Sequence, residues 1–139
     1  MVSREPKLSA DAQIAVAASE FRYDPLGFVM FWFPWDSDPT IQQVPFAEGV
    51  EEEMTDADRR RRDLYRRKYP NAKFGPDLWA CDFLTEWGME MEERQFDGIH
   101  AVAPLQFATV SGHGIGKSTL TAWIILFIMN TRPNSKGTV

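Results

Sequence analysis

Apolar residues fall into separate blocks along this chain, and the spacing inside each block predicts an element. Ser9, preceded by Leu8, reads as the cap of a first helix with Ile14, Ala17, Ala18 and Phe21 on one face. Asp24-Pro25 restarts a helix, the carboxylate as cap and the proline at its first position. Leu26 and the run from Phe28 to Phe33 make that helix apolar on every side; Pro34 stops it and Trp35 extends the aromatic patch. Such a surface must be covered by this chain or by a partner, and burial within the parent domain is the expectation. Pro76 to about Arg94 predicts a third helix, with Trp79, Phe83 and Trp87 spaced four apart and Leu84 and Met91 on a neighbouring stripe. Aromatics at that spacing read as core.

Between these blocks, from Asp36 to about Phe74, the chain turns polar and irregular. Glu48 and Glu51 to Glu53 precede Thr55-Asp56-Ala57-Asp58, which runs into Arg59 to Arg62 and on to Arg66-Arg67-Lys68. Early acids and late bases complement a helix dipole, and Asp58–Arg62 and Asp63–Arg67 are spaced i,i+4. The segment reads either as a solvated, internally neutralised helix in an insertion or as a DNA-contacting arm. Acids and bases balance from Glu48 to Lys68, which favours the neutralised helix, because an electrostatic DNA site needs a net positive field.

Towards the C-terminus an extended passage, Phe96 to Pro104, leads into Leu105-Gln106-Phe107-Ala108-Thr109-Val110, read as a strand. Ser111-Gly112-His113-Gly114-Ile115-Gly116-Lys117-Ser118-Thr119 follows, and then Leu120 to Met129, apolar almost all round. Strand, glycine-rich turn and helix in that order predict an α/β fold, the start of a P-loop NTPase domain preceded by an α-helical N-terminal region. A helix apolar on all sides belongs between a sheet and another layer. Thr131 to Gly137 reads as a turn and Thr138-Val139 as the first residues of a second strand. A parallel sheet needs more strands than these, so the expectation is the front end of a larger protein, truncated after its first strand, loop and helix. Three stretches result: 1–35 helical and aromatic, 36–74 a polar, charged insertion, and 75–139 the beginning of the ATPase domain.

The loop names a ligand. A triphosphate is held by backbone N–H groups that all point inward, which demands φ values that glycine adopts freely. Gly112, Gly114 and Gly116 supply that freedom at alternate positions. Lys117 places a charge on the β- and γ-phosphates, Ser118 offers its hydroxyl to Mg²⁺, and the helix that starts around Thr119 adds its N-terminal N–H groups. Ser111 stands in the slot usually held by the first glycine, and His113 and Ile115 fill the variable positions.

Composition narrows the setting. The 139 residues carry a formal charge of −5, which argues against strong nonspecific nucleic-acid binding by the whole chain. The single cysteine, Cys81, excludes a disulfide framework and fits a reducing compartment. The first residues lack a signal peptide's apolar core, and the run from Leu120 to Met129 is well short of the ~20 residues that span a bilayer. A soluble, cytoplasmic protein is the expectation.

Asp24-Pro25-Leu26-Gly27-Phe28-Val29, the Phe33-Pro34-Trp35 turn, Gly75-Pro76-Asp77-Leu78-Trp79 and above all the string from Ser111 to Ser118 resemble the N-terminal part of a bacteriophage terminase large subunit. The resemblance extends through Ala122 to Ile125 and Thr131-Arg132-Pro133, outside roughly 36–74. It implies an ATP-driven motor that packages double-stranded viral DNA: a RecA-like ATPase domain followed by a metal-dependent nuclease. Such a motor works as a homo-oligomeric ring on a portal protein, with a small terminase subunit. Lys117 matches the family's catalytic phosphate-binding lysine and Ser118 its Mg²⁺ residue. The acidic strand end that orients the attacking water and the nuclease carboxylates have no match here, so weak or absent nucleotide binding and no hydrolysis are expected of these residues alone. Many relatives read adenine with a glutamine after the tryptophan matching Trp79; here that position is Ala80. Another RecA- or helicase-like ATPase fragment is one alternative. A non-catalytic module that binds terminase or portal partners through the Phe28 to Trp35 patch is another.

Overall fold

In the computed structural model, which describes residues 7–97, 99, 105–107 and 117–132, the first two helices begin at the caps read from the sequence, and the next two begin at side-chain caps as well. Helix α1 (Ala10–Glu20) starts where Ser9 Oγ accepts the Ala12 N–H at 3.2 Å. Helix α2 (Pro25–Trp32) starts where Asp24 Oδ1 accepts the Gly27 N–H at 2.9 Å, with proline where no N–H is needed. Helix α3 (Asp56–Lys68) opens on a capping box: the Thr55 N–H donates to Asp58 Oδ2 at 2.7 Å, and the Asp58 N–H donates to Thr55 Oγ1 at 3.2 Å. Asp77 caps α4 (Leu78–Glu93) through the Ala80 N–H at 3.2 Å. Helix α5 spans Lys117–Thr131.

The expected α/β architecture is not what the described residues form. They make five helices and no sheet; the one β-type pairing among them is an isolated antiparallel bridge between Pro45 and Phe74. Leu105, Gln106 and Phe107, read as the start of a strand, carry no strand structure, and the Phe107 ring lies 5.5 Å from that of Phe83. The rest of that stretch, Ala108 to Val110, and the expected second strand at Thr138-Val139 lie outside the described residues. The physical reason is pairing: a strand needs a neighbour for its N–H and C=O groups, and the apolar α5 that was to cover a sheet packs on α1 and α2 instead.

Around α5 the core is aromatic. Phe127 is fully buried, its ring 5.4 Å from both Phe28 on α2 and Trp87 on α4. Arg132, just past α5, is buried too; its guanidinium donates to the Phe96 carbonyl at 3.0 and 2.7 Å and stacks on Tyr23, Phe96 and Phe127. Burial pushes its pKa down to about 10, which leaves it charged at neutral pH. The buried seam of α4 differs from the aromatic one read in the sequence. It runs through Cys81, Leu84, Gly88 and Met91 with Trp87, while Trp79 and Phe83 are only half-buried. Close approach sets it: a Cβ on Gly88 would stand 2.7 Å from the Tyr23 carbonyl oxygen and 2.8 Å from Pro25 Cδ. The end of α4 is fixed by Gln95 at φ 52, whose N–H donates to Glu92 O at 3.1 Å while the Phe96 N–H returns to Met91 O at 2.9 Å.

Helix α3 has no buried residue and leans on α4 through polar groups: Tyr65 Oη donates to Asp82 at 2.8 Å and Arg61 reaches the same carboxylate at 3.2 Å. Three further arginines pair with acids nearby, Arg59 with Asp56 at 3.3 Å, Arg62 with Glu51 at 3.0 Å and Arg66 with Glu48 at 3.2 Å. The i,i+4 partners expected from the sequence are replaced: Asp58 holds Arg61, and Asp63 lies 3.5 Å from Arg62.

Candidate functional site

Of the predicted loop, Ser111, Gly112, His113, Gly114, Ile115 and Gly116 lie outside the described residues, and Lys117 is described as the first residue of α5. Ser118 and Thr119 follow in the first helical turn, both exposed. They stand on the rim of a cleft of about 550 Å³ enclosed by the start of α5, the start of α4 and the segment from Phe33 to Val44.

The walls of this cleft are aromatic and rigidly held. Trp123, one turn after Thr119, packs edge-on against Trp35 at 6.0 Å and Phe33 at 6.2 Å. Trp35 is fixed in turn, its indole N–H donating to the Val29 carbonyl at 3.0 Å. Trp79 supplies a further wall from α4. The Phe28 to Trp35 patch therefore divides: Phe28, Val29 and Trp35 turn into the core, Phe33 and Trp35 face the cleft, and Phe31 stays 63% exposed.

Polar groups are few. Thr40 Oγ1 donates to Asp38 Oδ1 at 2.6 Å, and Asp77 spends its carboxylate on capping α4. Burial raises the Asp77 carboxyl above its ordinary range, opposed by the Ala80 N–H that it accepts. Among the described residues, Gln43 and the hydroxyls of Ser118 and Thr119 complete the polar lining.

A helix N-terminus, whose first N–H groups have no partner within the helix, is suited to an anion when hydroxyls stand beside it, and an apolar, aromatic cleft of this size to a small planar ligand. Mg²⁺ keeps most of its waters and takes phosphate oxygens with one or two protein oxygens. The single exposed Ser118 hydroxyl fits that need; among the described residues no three His, Cys, Asp or Glu side chains come together as a metal site. Sequence reasoning placed Ser118 and Thr119 but missed the cleft. Trp123 reads as core, and Thr40 and Gln43 lie in a stretch that looks like an irregular insertion, with no spacing that ties them to α5.

Comparison with protein-family models, with curated proteins and with solved structures gives no match. No helix among the described residues is long and apolar enough to cross a membrane.

Proposed function

We propose that this chain is the ATP-binding N-terminal part of a bacteriophage terminase large subunit, the motor that packages viral DNA by ATP hydrolysis. One observation carries the reading: the Gly116-Lys117-Ser118-Thr119 string runs into the N-terminus of α5, and its two hydroxyl residues open onto an aromatic cleft of nucleotide size. In this reading the phosphates lie at the start of α5, held by the loop from Ser111 to Gly116 and by Lys117. Ser118 would hold Mg²⁺ through its hydroxyl, and the ion would supply neutralisation of the phosphate charge. The aromatic walls exclude water from the base end and orient the nucleotide for in-line attack at the γ-phosphate. The partners proposed with it are double-stranded viral DNA, a portal protein, a small terminase subunit and further copies of the motor in a ring, in the host cytoplasm.

Tryptophan fluorescence tests the reading, since Trp35, Trp79 and Trp123 line the cleft. Titration with adenylyl imidodiphosphate and Mg²⁺ is expected to give weak, saturable quenching that Lys117→Ala removes, with no steady hydrolysis of ATP. Quenching that survives Lys117→Ala unchanged, or no response at millimolar nucleotide, rejects it.

A further inference from the structure

Two adjacent glutamines sit on the segment that walls the cleft, and they are held very differently. Gln42 is half-buried and its Nε2 donates to the Trp35 carbonyl at 2.6 Å, which fixes the turn. Gln43 is exposed and lines the cleft, and its Nε2 reaches the Thr40 carbonyl only at 3.4 Å, the outer edge of hydrogen bonding. The other polar side chains of the cleft have tasks already: Thr40 binds Asp38, Asp77 caps α4, and Ser118 and Thr119 belong to the helix start. Among the described residues, Gln43 is left as the polar group beside the aromatic walls whose acceptor oxygen is uncommitted.

An aromatic slot with an anion-favouring helix start at one end matches a planar heterocycle that carries phosphates. Indoles stack any base without preference, so discrimination must come from an edge contact. We propose that Gln43 is a specificity-determining residue that reads the edge of the bound base and favours adenine, an inference that rests on the nucleotide reading above. A carboxamide presents an acceptor beside a donor, which pairs with the amino donor and ring-nitrogen acceptor of adenine. The corresponding edge of guanine offers two acceptors and leaves the amide oxygen facing another oxygen.

The test measures fluorescence quenching of the chain by three probes: adenylyl imidodiphosphate, guanylyl imidodiphosphate and inorganic tripolyphosphate, each with Mg²⁺. The wild-type chain is expected to prefer the adenine probe. Gln43→Ala is expected to weaken that probe about tenfold, to erase the preference and to leave tripolyphosphate unchanged. Gln43→Glu is expected to turn the preference towards guanine, whose N1–H and amino group suit a carboxylate. A guanine preference in the wild-type chain, an unchanged adenine-to-guanine ratio in Gln43→Ala, or an equal loss for tripolyphosphate overturns the proposal. Lys117-dependent tripolyphosphate binding separates the two readings: if it persists while base preference ignores Gln43, only this inference falls. If no probe binds through Lys117, the nucleotide reading falls and takes this one with it.

Discussion

Helices α3 and α5 are opposite solutions to the same problem of holding a helix in place. Helix α3 buries no residue and is tied down by arginine–carboxylate pairs and one tyrosine–aspartate bond. Helix α5 carries no charged side chain after Lys117 and is held by Leu120, Trp123 and Phe127, buried against α1 and α2 and the aromatics around them. The contrast teaches where stability is concentrated. Exposed ion pairs offset their own desolvation and ordering costs and contribute little, whereas each buried aromatic removes a large apolar surface from water.

The strongest test of that contrast is Phe127→Ala. The ring is fully buried at the meeting point of Phe28, Trp87 and the Arg132 guanidinium, 5.2 Å away. Its removal leaves a cavity that rigid neighbouring rings cannot fill, and the expected loss is about 3–5 kcal/mol by urea denaturation. A loss below about 1 kcal/mol would show that α5 is not anchored in this core, and the comparison would fail.

The same contrast explains what was legible in the sequence. Ser9 and Asp24 were legible as caps because a cap is local: each acts on an N–H three residues away and starts a helix, and Thr55 and Asp77, not read as caps in the sequence, do the same. The charge balance of the Glu48 to Lys68 segment was legible too, although the chosen partners were not, since Arg62 reaches back to Glu51 rather than to Asp58. What covers α5 was not legible. An apolar helix shows that it must be buried but not against what, and α1 and α2, about a hundred residues upstream in sequence, take the place expected of a sheet. At the candidate site the helix start and its two hydroxyls were readable from the Gly-Lys-Ser string, while Trp35, Gln43 and Trp123 converge only through the tertiary fold.

A smaller effect sharpens the local half of the comparison. Thr55→Ala removes the cap of α3, and a loss of about 1 kcal/mol is expected at neutral pH. The loss should shrink in acid, for a reason of sign. Hydrogen bonds from Thr55, side chain first and then backbone, hold the Asp58 carboxyl below its ordinary value of 3.8. A depressed folded-state pKa contributes stability above the unfolded value, and that contribution is lost as pH falls through the folded one. Asp77 has the opposite sign: burial raises it, so its contribution is present below 3.8 and lost as pH rises through the folded value. Asp58→Asn should therefore flatten the decline in stability below about pH 4, and an unchanged acid limb would show that the capping box carries no proton linkage.

The smallest effect belongs to the ion pairs themselves, and it decides whether α3 is held by charge at all. Arg62 and Glu51 lie 3.0 Å apart with side chains 17% and 63% exposed, so water screens one partner well. A double-mutant cycle on Arg62→Ala and Glu51→Ala is expected to give a coupling of no more than about 0.5 kcal/mol. The coupling should fade further between 0.1 and 1 M salt, as the screening length drops from about 10 to about 3 Å. A salt-insensitive coupling above about 2 kcal/mol would be of the size that buried pairs reach. Helix α3 would then be anchored electrostatically as firmly as α5 is by its aromatics, and the division between the two helices would collapse.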